Sequence, residues 1–369
     1  MGKRVLVLGC TGSIGSQTLD IIRNMPQDFT LCGVAAGKNE RAVSALCGEF
    51  KCAGTVFSRD GNEGLRNLIE SCGADIAVNG ISGSAGLMPS AMALEAGMDL
   101  ALANKETVVM AWNLIRRISE RTGARIIPVD SEHSAIFNLT QRIGPKNISQ
   151  IIITASGGPF REYSPEQLKE VTADDALRHP TWSMGPKITV DSASLANKGL
   201  EVIEAVRLFD VPAEHVKVVV HPQSLVHSLV RTKDGMLYAQ ISNPDMRHPI
   251  LDALVWPENR ENYLEPFELF GNTMTFSKPR TDVFPMLGLA YKCAEKSASY
   301  TIAFNAANEA AVAAFLEHKI NFLSIADVVE DTLKDDWSMI PGTLDEVMEA
   351  DRRAREKAAV RIESIRGSL

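Results

Sequence analysis

Side chains that could bind an anion and a metal ion are concentrated in residues 179–201, HPTWSMGPKITVDSASLANKGLE. Phosphate binding needs hydrogen-bond donors and positive charge, preferably at a helix N-terminus. The donors available in this segment are Ser192, Asn197 and Lys198. A helix that starts near Asp191 would bring Asn197, Lys198 and Glu201 onto one face, within about a 100° arc at 3.6 residues per turn. The segment therefore predicts a phosphate contact beside a carboxylate.

An amphipathic helix with a solvated polar face is the alternative for this segment. Gly199 would interrupt such a helix, at a cost of about 1 kcal/mol relative to alanine. Trp182 and Met184 lie in a stretch bounded by proline and glycine, and their spacing is not that of a helical core. Both observations favour a functional loop.

A second group of ionisable residues follows the apolar, strand-like run at 126–129. Asp130 and Glu132 are alternate residues, and alternate side chains of an extended chain point to the same side. Paired carboxylates repel unless a cation neutralises them, and oxygen ligands favour Mg²⁺ or Mn²⁺ over zinc. Glu201 is the obvious third ligand if the two segments meet. The alternative is that Asp130 caps a helix over 131–139 and Glu132 favours its first turn.

The N-terminal residues have the pattern of a dinucleotide-binding unit. An apolar strand at 3–9 is followed by GCTGSIG at 9–15 and by a helical run at 16–24. Small residues in such a turn let a pyrophosphate approach the backbone and the helix N-terminus. The spacing is G-x-x-G-x-x-G instead of the commoner G-x-G-x-x-G, and a tight βα turn without a ligand is the alternative.

The end of the second predicted strand, about Phe29–Ala36, indicates which dinucleotide is bound. An acidic residue there would accept a hydrogen bond from the ribose 2′-hydroxyl of NAD. The tripeptide Gly37-Lys38-Asn39 offers instead a cation and an amide, which suit the 2′-phosphate of NADP. Glu40 follows directly and slightly weakens that inference. We expect NADPH in preference to NADH.

Taken together, these motifs resemble the 1-deoxy-D-xylulose 5-phosphate reductoisomerase family almost from end to end. The matching motifs are GCTGSIG at 9–15, ANKE at 103–106, VDSEH at 129–133, ASGGPFR at 155–161, the segment at 179–201, HPQSLVHS at 221–228 and AANE at 306–309. The resemblance implies an NADPH- and divalent-metal-dependent oxidoreductase of the non-mevalonate isoprenoid route. Such an enzyme rearranges and reduces 1-deoxy-D-xylulose 5-phosphate to 2-C-methyl-D-erythritol 4-phosphate.

The resemblance also implies roles for individual residues. The catalytic residues would be Lys105, Asp130, Glu132 and Glu201, of which the last three would hold Mg²⁺ or Mn²⁺, with Co²⁺ as a third candidate. The substrate-binding residues would be Lys105, Ser131, Glu132, Ser156, His179, Trp182, Ser192, Asn197, Lys198 and Glu201. The cofactor-binding residues would be Thr11, Gly12, Ser13 and Ile14 at the pyrophosphate, Gly37, Lys38 and Asn39 at the 2′-phosphate, and Asn104, Glu106 and Gly185 elsewhere on NADPH. A mobile flap would cover about residues 179–187.

Composition excludes several partners. The chain has 369 residues and a net charge of −8, which argue against binding to nucleic acid or to an anionic membrane. The sequence has no apolar run of the roughly 18–20 residues that a membrane-spanning helix needs. The six cysteines include no C-x-x-C pair, so we expect reduced, mostly buried thiols in a cytoplasmic protein. We expect His221 to serve packing or hydrogen bonding, not metal ligation.

The order of elements predicts an α/β protein. An N-terminal, doubly wound, Rossmann-like NADPH-binding domain is expected over 1–122. A central α/β catalytic and dimerisation domain over 123–265, a linker over 266–282 and a C-terminal helical domain over 283–369 follow it. The resemblance implies a homodimer formed through the central region.

Two other functions are compatible with the glycine turn. One is a simpler NADP-dependent dehydrogenase that acts on another substrate without isomerisation. The other is an NADPH-sensing protein without catalytic activity. Neither needs a trio of metal-binding carboxylates.

Overall fold

Alternating strands and helices form most of this structure, a computed structural model that describes residues 2–182 and 184–367. The strands are β1 (Lys3–Leu8), β2 (Phe29–Ala36), β3 (Ala53–Val56), β4 (Ile76–Asn79), β5 (Asp99–Leu102), β6 (Ile126–Pro128), β7 (Ile148–Ala155), β8 (Val216–Val220), β9 (Val226–Thr232) and β10 (Leu237–Ile241). The helices are α1 (Ser13–Asn24), α2 (Glu40–Phe50), α3 (Phe57–Ser71), α4 (Leu87–Glu95), α5 (Lys105–Thr122), α6 (Ser131–Ile143), α7 (Pro165–Leu168), α8 (Ala173–Ala176), α9 (Pro186–Ser194), α10 (Ala196–Leu208), α11 (Arg247–Val255), α12 (Met286–Lys296), α13 (Tyr300–Leu316), α14 (Ser324–Thr332) and α15 (Leu344–Arg366).

Two compact units divide the chain. Unit 1 is formed by the described residues of 2–107, 112–137 and 245–267, and unit 2 by those of 108–111, 138–244 and 268–367. This grouping cuts across the predicted boundaries near 122 and 265. The reason is that α11, expected in the central domain, packs on α1 and contributes to the apolar core of unit 1.

Unit 1 contains a fully parallel six-stranded sheet in the order β3-β2-β1-β4-β5-β6. The central strands are buried on both faces, as the successive residues Val5 and Leu6 and the successive residues Ile76 and Ala77 show with no exposed surface, and parallel sheets covered by helices require such apolar runs. The strand order reverses between β1 and β4, where doubly wound folds bind their ligands. The predicted Rossmann-like domain is confirmed.

The turn between β1 and α1 needs its glycines for two different physical reasons. Gly9 has a φ of +83°, and a Cβ there would lie 3.0 Å from the backbone of Gly80, which follows β4. A Cβ at Gly15 would lie 2.3 Å from the carbonyl oxygen of Gly9. The first glycine therefore provides a left-handed conformation, and the third lets α1 approach the end of β1.

Unit 2 contains a four-stranded mixed sheet in the order β10-β9-β7-β8. β7 pairs in parallel with β8 and antiparallel with β9, and β9 and β10 form a hairpin. The fold class is therefore α/β with two sheets, and it includes the helices α12–α15 that follow the second sheet.

The helix predicted to start near Asp191 does not start there. α9 ends at Ser194 and α10 begins at Ala196, because Leu195 adopts the left-handed conformation with a φ of +62°. Gly199 does not interrupt α10 either. A Cβ at Gly199 would lie 2.7 Å from the Cβ of Ala290 on α12, so glycine permits close packing of the two helices.

Helix α13 is the central element of the C-terminal helices, and it contacts α9, α12, α14 and α15. Its small residues Ala303 and Ala306 pack with Trp337 and with Ala354 of α15. Among the described residues, no helix combines the length and apolar character required to cross a bilayer.

Replacing Gly15 with alanine tests the close approach in the β1–α1 turn. The added methyl group would overlap backbone atoms, so we expect a loss of about 1–3 kcal/mol in the free energy of unfolding. The control is Gly48→Ala in the last turn of α2, where a Cβ meets no atom within 4 Å. This control should gain about 0.5–1 kcal/mol. Urea unfolding measures both, and equal stability of the two variants would contradict the packing argument.

Candidate active site

Unit 1 brings together a lysine and a carboxylate at the ends of neighbouring strands. Lys105 follows β5 and begins α5, and Asp130 follows β6 and immediately precedes α6. β5 and β6 are adjacent and parallel, so the two residues lie at the same edge of the sheet. Their side chains form an ion pair, in which the Lys105 side chain is 6% exposed and the Asp130 side chain is 11% exposed. Burial strengthens such a pair because water screens it little.

The Asp130 carboxylate belongs to a larger acidic group. One of its oxygens and one oxygen of Glu132 lie within 4.8 Å of each other, and Nδ1 of His133 lies 3.8 Å from Asp130 Oδ1. Burial alone raises the pKa of Asp130, but the Lys105 ammonium and His133 hold it well below its usual value. Ser131 donates a hydrogen bond to Glu132. Asp130 does occupy the N-cap position, since its carbonyl oxygen accepts from Ser134, while its carboxylate faces Lys105.

The glycine turn of unit 1 presents an open helix N-terminus. Thr11, Gly12 and Ser13 are exposed, and Ile14 is partly buried. Gly12 is the N-cap of α1 and has no side chain with which to satisfy the first N–H groups. Backbone N–H groups and the helix dipole favour an anion at this position.

The loop after β2 carries an exposed cation. Gly37, Lys38 and Asn39 are exposed, and Asn39 Oδ1 caps α2 by accepting from the N–H of Ala42 at 3.0 Å. The neighbouring Glu40 pairs with Arg59. The negative charge of Glu40, which weakened the prediction of NADPH over NADH, is therefore paired with Arg59.

Asn104 joins the loop after β4 to the start of α5 through side-chain hydrogen bonds. Its Oδ1 accepts from the N–H of Thr107 at 3.0 Å. Its Nδ2 lies 2.7 Å from the carbonyl oxygen of Ile81 and 2.9 Å from Glu106. Asn104 and Glu106 are buried, with 2% and 6% of their surfaces exposed. Asn104 thus has a positioning part in addition to the cofactor contact that the resemblance implies.

In unit 2, two serine hydroxyls and a histidine form a cluster. His179 Nε2 lies 3.0 Å from Ser156 Oγ and 3.2 Å from Ser192 Oγ. Ser156 follows β7, and Ser192 lies on α9. Gly158 has a φ of +68°, and a Cβ there would lie 2.7 Å from the carbonyl oxygen of Ser192. Glycine at 158 therefore allows the loop after β7 to touch α9.

The hydrogen bonds of His179 determine which ring nitrogen carries the proton. Nδ1 accepts from the N–H groups of Thr181 and Trp182, at 3.1 and 2.9 Å. A neutral imidazole that accepts at Nδ1 carries its proton at Nε2. Burial, together with the charge of Arg161, lowers the pKa of His179 from 6.5 to about 4. His179 is therefore a neutral donor aimed at the two serine hydroxyls.

Helix α10 holds a buried carboxylate between two donors. Asn197 Nδ2 lies 2.6 Å from Glu201 Oε1, and Lys198 Nζ lies 2.6 Å from Glu201 Oε2. Lys198 and Glu201 are 4% and 1% exposed. The prediction that these three side chains share a helix face is confirmed. Asn197 and Lys198 donate to Glu201 in this structure, so an anionic ligand would compete with the Glu201 carboxylate for these two donors.

The predicted flap runs into α9. Trp182 is partly buried, and its backbone N–H is held by His179. Gly185 is the N-cap of α9, and Pro186 occupies its first position, where proline is well tolerated. Ser183, within the predicted flap, lies outside the described residues.

Sequence reasoning missed two features of this site. Arg161 lies near enough to His179 to lower its pKa, and its place at the end of the ASGGPFR motif was the available signal. Leu195 separates α9 from α10, and no signal could have found it, because the left-handed conformation is expected of glycine or asparagine. The prediction for His221 is confirmed, since His221 is buried, stacks on Phe276 and bonds to the backbone.

Comparison with protein families matches most of the chain to one family. The model of 1-deoxy-D-xylulose 5-phosphate reductoisomerase matches residues 5–60 and 55–112. The model of its C-terminal domain matches residues 126–209, and a second C-terminal domain model of DXP reductoisomerase matches 241–357.

Relatives and solved structures agree with the family models. The 1-deoxy-D-xylulose 5-phosphate reductoisomerase of Treponema denticola is 49% identical over 98% of this chain and 97% of its own length. That of Treponema pallidum is 48% identical over 96% of each chain. The Zymomonas mobilis enzyme, solved with NADPH, is 38% identical with a TM-score of 0.89 and covers 99% of this chain and 100% of its own. A crystal structure of DOX-P reductoisomerase with NADPH, fosmidomycin and magnesium is 34% identical with a TM-score of 0.89 and covers 98% of each chain.

The lowered pKa of His179 predicts a pH dependence of stability. As the pH falls below 6.5, the unfolded chain protonates this histidine, whereas the folded chain keeps it neutral down to about pH 4. The unfolded state then binds more protons, so stability falls as the pH falls through this window. His179→Gln removes that contribution, and its free energy of unfolding should decline less steeply between pH 6.5 and 4 than that of the wild type.

Urea unfolding at several pH values measures the difference between the two proteins. His215→Gln changes an exposed histidine of the same unit and serves as the control. Parallel curves for the wild type and His179→Gln would contradict the assignment.

Proposed function

This chain belongs to the 1-deoxy-D-xylulose 5-phosphate reductoisomerase family, and on that premise we propose how its residues divide the reaction among themselves. The protein is an oxidoreductase that uses NADPH and a divalent metal to convert 1-deoxy-D-xylulose 5-phosphate into 2-C-methyl-D-erythritol 4-phosphate. The observation that carries the assignment of residues is the half-buried acidic pair of Asp130 and Glu132 beside Lys105.

Asp130, Glu132 and Glu201 hold the metal ion in this proposal. All three are carboxylates, the ligand type that suits Mg²⁺ and Mn²⁺. Two of them already have cationic partners, Lys105 for Asp130 and Lys198 for Glu201. This pairing supports the fit, because each of the two carboxylates already contacts a cation in a poorly solvated environment.

The bound metal supplies Lewis acidity toward the substrate oxygens. Lys105, at the start of α5, stabilises negative charge that develops on those oxygens, because its ammonium is buried and water screens it little. Ser131 orients the Glu132 carboxylate through its hydrogen bond. The rearrangement and the reduction then use the same charged groups, Lys105 and the metal-binding carboxylates.

The substrate phosphate is bound by donors of unit 2. Ser156, Ser192 and the Nε2–H group of His179 converge within hydrogen-bond distance of one another, and such convergent donors bind phosphate oxygens. Asn197 and Lys198 add an amide and a cation. As they turn to the phosphate, Glu201 is released from both donors and becomes available as a ligand.

The N-terminal residues would bind NADPH, which would supply the hydride for the reduction. Thr11, Gly12, Ser13 and Ile14 offer the helix N-terminus to the pyrophosphate, and Gly37, Lys38 and Asn39 receive the 2′-phosphate. Asn104, Glu106 and Gly185 are assigned to the remainder of the cofactor. Trp182 in the flap covers the substrate and excludes water from the reactive aldehyde.

The functional division that we propose keeps the predicted segments. Residues 1–122 bind NADPH, 123–265 carry catalysis and dimerisation, 266–282 form a linker, and 283–369 form the helical domain. A cytoplasmic location is in keeping with six cysteines that are all free thiols, which is the usual state in a reducing compartment.

The proposed homodimer uses the edge strand β10. Met236, Leu237, Tyr238 and Ile241 on and beside this strand are between 41% and 58% exposed. Within the part of the chain that the structure describes, β10 pairs only with β9, and an apolar edge with unpaired backbone groups is a template for another strand. A second copy of the chain can supply the same strand in antiparallel orientation about a two-fold axis.

Leu237→Glu tests the dimer. A charge within the apolar edge should raise the dimer dissociation constant by at least about tenfold, equivalent to about 1.4 kcal/mol. Sedimentation velocity at micromolar concentration should then show monomer. Ile340→Glu, at an apolar residue that is 74% exposed elsewhere in unit 2, should stay dimeric. A wild-type protein that sediments as a monomer would refute the proposal.

Glu201→Gln tests the metal ligand. The change preserves the side-chain shape and removes one ligand charge. Mutating a residue that only hydrogen-bonds to a metal ligand already lowers metal affinity or activity by about 10–100-fold. We therefore expect the kcat of Glu201→Gln to fall by about two orders of magnitude or more. Glu214→Gln, at an exposed glutamate of unit 2, should retain full activity. NADPH oxidation at increasing Mg²⁺ measures both variants. Near-normal turnover of Glu201→Gln at saturating Mg²⁺ would show that Glu201 is not a ligand.

A further inference from the structure

The AANE motif at 306–309 has no part in the reaction described so far, yet it contacts the helix that follows the flap. Asn308 on α13 is fully buried, and its Nδ2 donates to Asp191 Oδ1 at 2.8 Å. The other carboxylate oxygen of Asp191 lies 2.7 Å from Lys187 Nζ, one turn earlier on α9. Asp191 is 1% exposed, so this contact between α9 and α13 is a buried polar one.

Glu309 extends the contact to α15. It accepts hydrogen bonds from Asn305 at 2.9 Å and from Arg355 at 2.6 Å, and Arg355 also binds Asp351 at 2.7 Å. Burial alone raises the pKa of Glu309, but the charges of Lys187 and Arg355 outweigh it and lower that pKa. Glu309 therefore stays ionised, and its negative charge acts on the α9 lysine.

Stability alone is a weak reason for such a cluster. Buried charges cost desolvation energy, and well-packed apolar residues are often as stabilising or more so. The cluster instead fixes the rotation of α9 about its own axis. Successive residues on a helix are about 100° apart, so fixing Asp191 toward α13 also fixes the direction of its neighbour Ser192. The Ser192 hydroxyl lies 3.2 Å from His179 Nε2.

We propose that Asn308 is a positioning residue for the phosphate site, and that it acts through Asp191 to set the rotation of α9 and thereby the place of Ser192 Oγ. Glu309 and Arg355 support Asn308 from α15. The inference rests on the phosphate-binding role proposed for Ser192. It gives the AANE motif a function although none of its residues touches Ser156, His179 or Ser192 in the hydrogen bonds described above.

Asn308→Asp is the sharpest single variant. It keeps the side-chain size but places a second carboxylate against Asp191, so α9 should rotate away from α13. We expect the KM for 1-deoxy-D-xylulose 5-phosphate to rise about tenfold, with an unchanged dissociation constant for NADPH. Asn308→Ala removes the donor without adding charge and replaces the first variant if that one does not fold.

A matched control separates positioning from general loss of stability. Thr332→Val removes a buried hydrogen bond of 2.8 Å within α14, in the same unit. It should lower the melting temperature and leave KM unchanged. If Asn308→Asp and Asn308→Ala behave like this control, with KM within twofold of the wild type, Asn308 is merely structural and the proposal is overturned.

A double-mutant cycle with Ser192→Ala tests the route of the effect. If Asn308 acts through Ser192, the double variant Ser192→Ala/Asn308→Asp should lose little more kcat/KM than the larger of the two single losses. Additive losses would mean independent action and would overturn the proposal. An unchanged KM in Ser192→Ala alone would instead refute the phosphate role of Ser192 itself, and the inference would fall with it.

Discussion

Three carboxylates in and beside this active site are each paired with a cation in a poorly solvated environment, and much of the structure follows from that constraint. Asp130 pairs with Lys105, Glu201 with Lys198, and Asp191 with Lys187. An unpaired buried charge would cost several kcal/mol or would be lost by protonation. The Lys105 ammonium helps to hold the pKa of Asp130 well below its usual value, and an ionised carboxylate is the form that binds a divalent metal. In the proposed mechanism, Lys198 exchanges its contact with Glu201 for the substrate phosphate, and Glu201 turns to the metal.

The constraint is met in each unit by a different piece of local geometry. In unit 1, Lys105 and Asp130 follow the ends of two adjacent parallel strands, so their pairing follows directly from the sheet. In unit 2, the left-handed Leu195 divides what would be one helix into α9 and α10. Ser192 and Lys198 thereby belong to helices with different directions, although they are close in sequence. A leucine in this conformation stores about 1–2 kcal/mol of strain, which the packing around it must offset.

Much of the fold could be predicted from sequence, because it depends on patterns that act over short distances. Apolar runs and the glycine spacing at 9–15 identify the Rossmann-like sheet. The candidate residues were also identifiable from their motifs. The break at Leu195, the tautomer of His179 and the contact of Asn308 with Asp191 could not be predicted, since each depends on residues brought together only by tertiary packing. Gly199 was misread as a helix interruption for the same reason, because its role is defined by Ala290 on another helix.

The most direct test of the account is NADPH oxidation by the purified protein with 1-deoxy-D-xylulose 5-phosphate and Mg²⁺, in the presence and absence of EDTA. The account predicts substrate-dependent loss of NADPH absorbance that EDTA abolishes and excess Mg²⁺ or Mn²⁺ restores. Turnover that is insensitive to EDTA would contradict the role of the three carboxylates and favour a metal-independent dehydrogenase. No turnover from protein that demonstrably binds NADPH would contradict the enzymatic function itself.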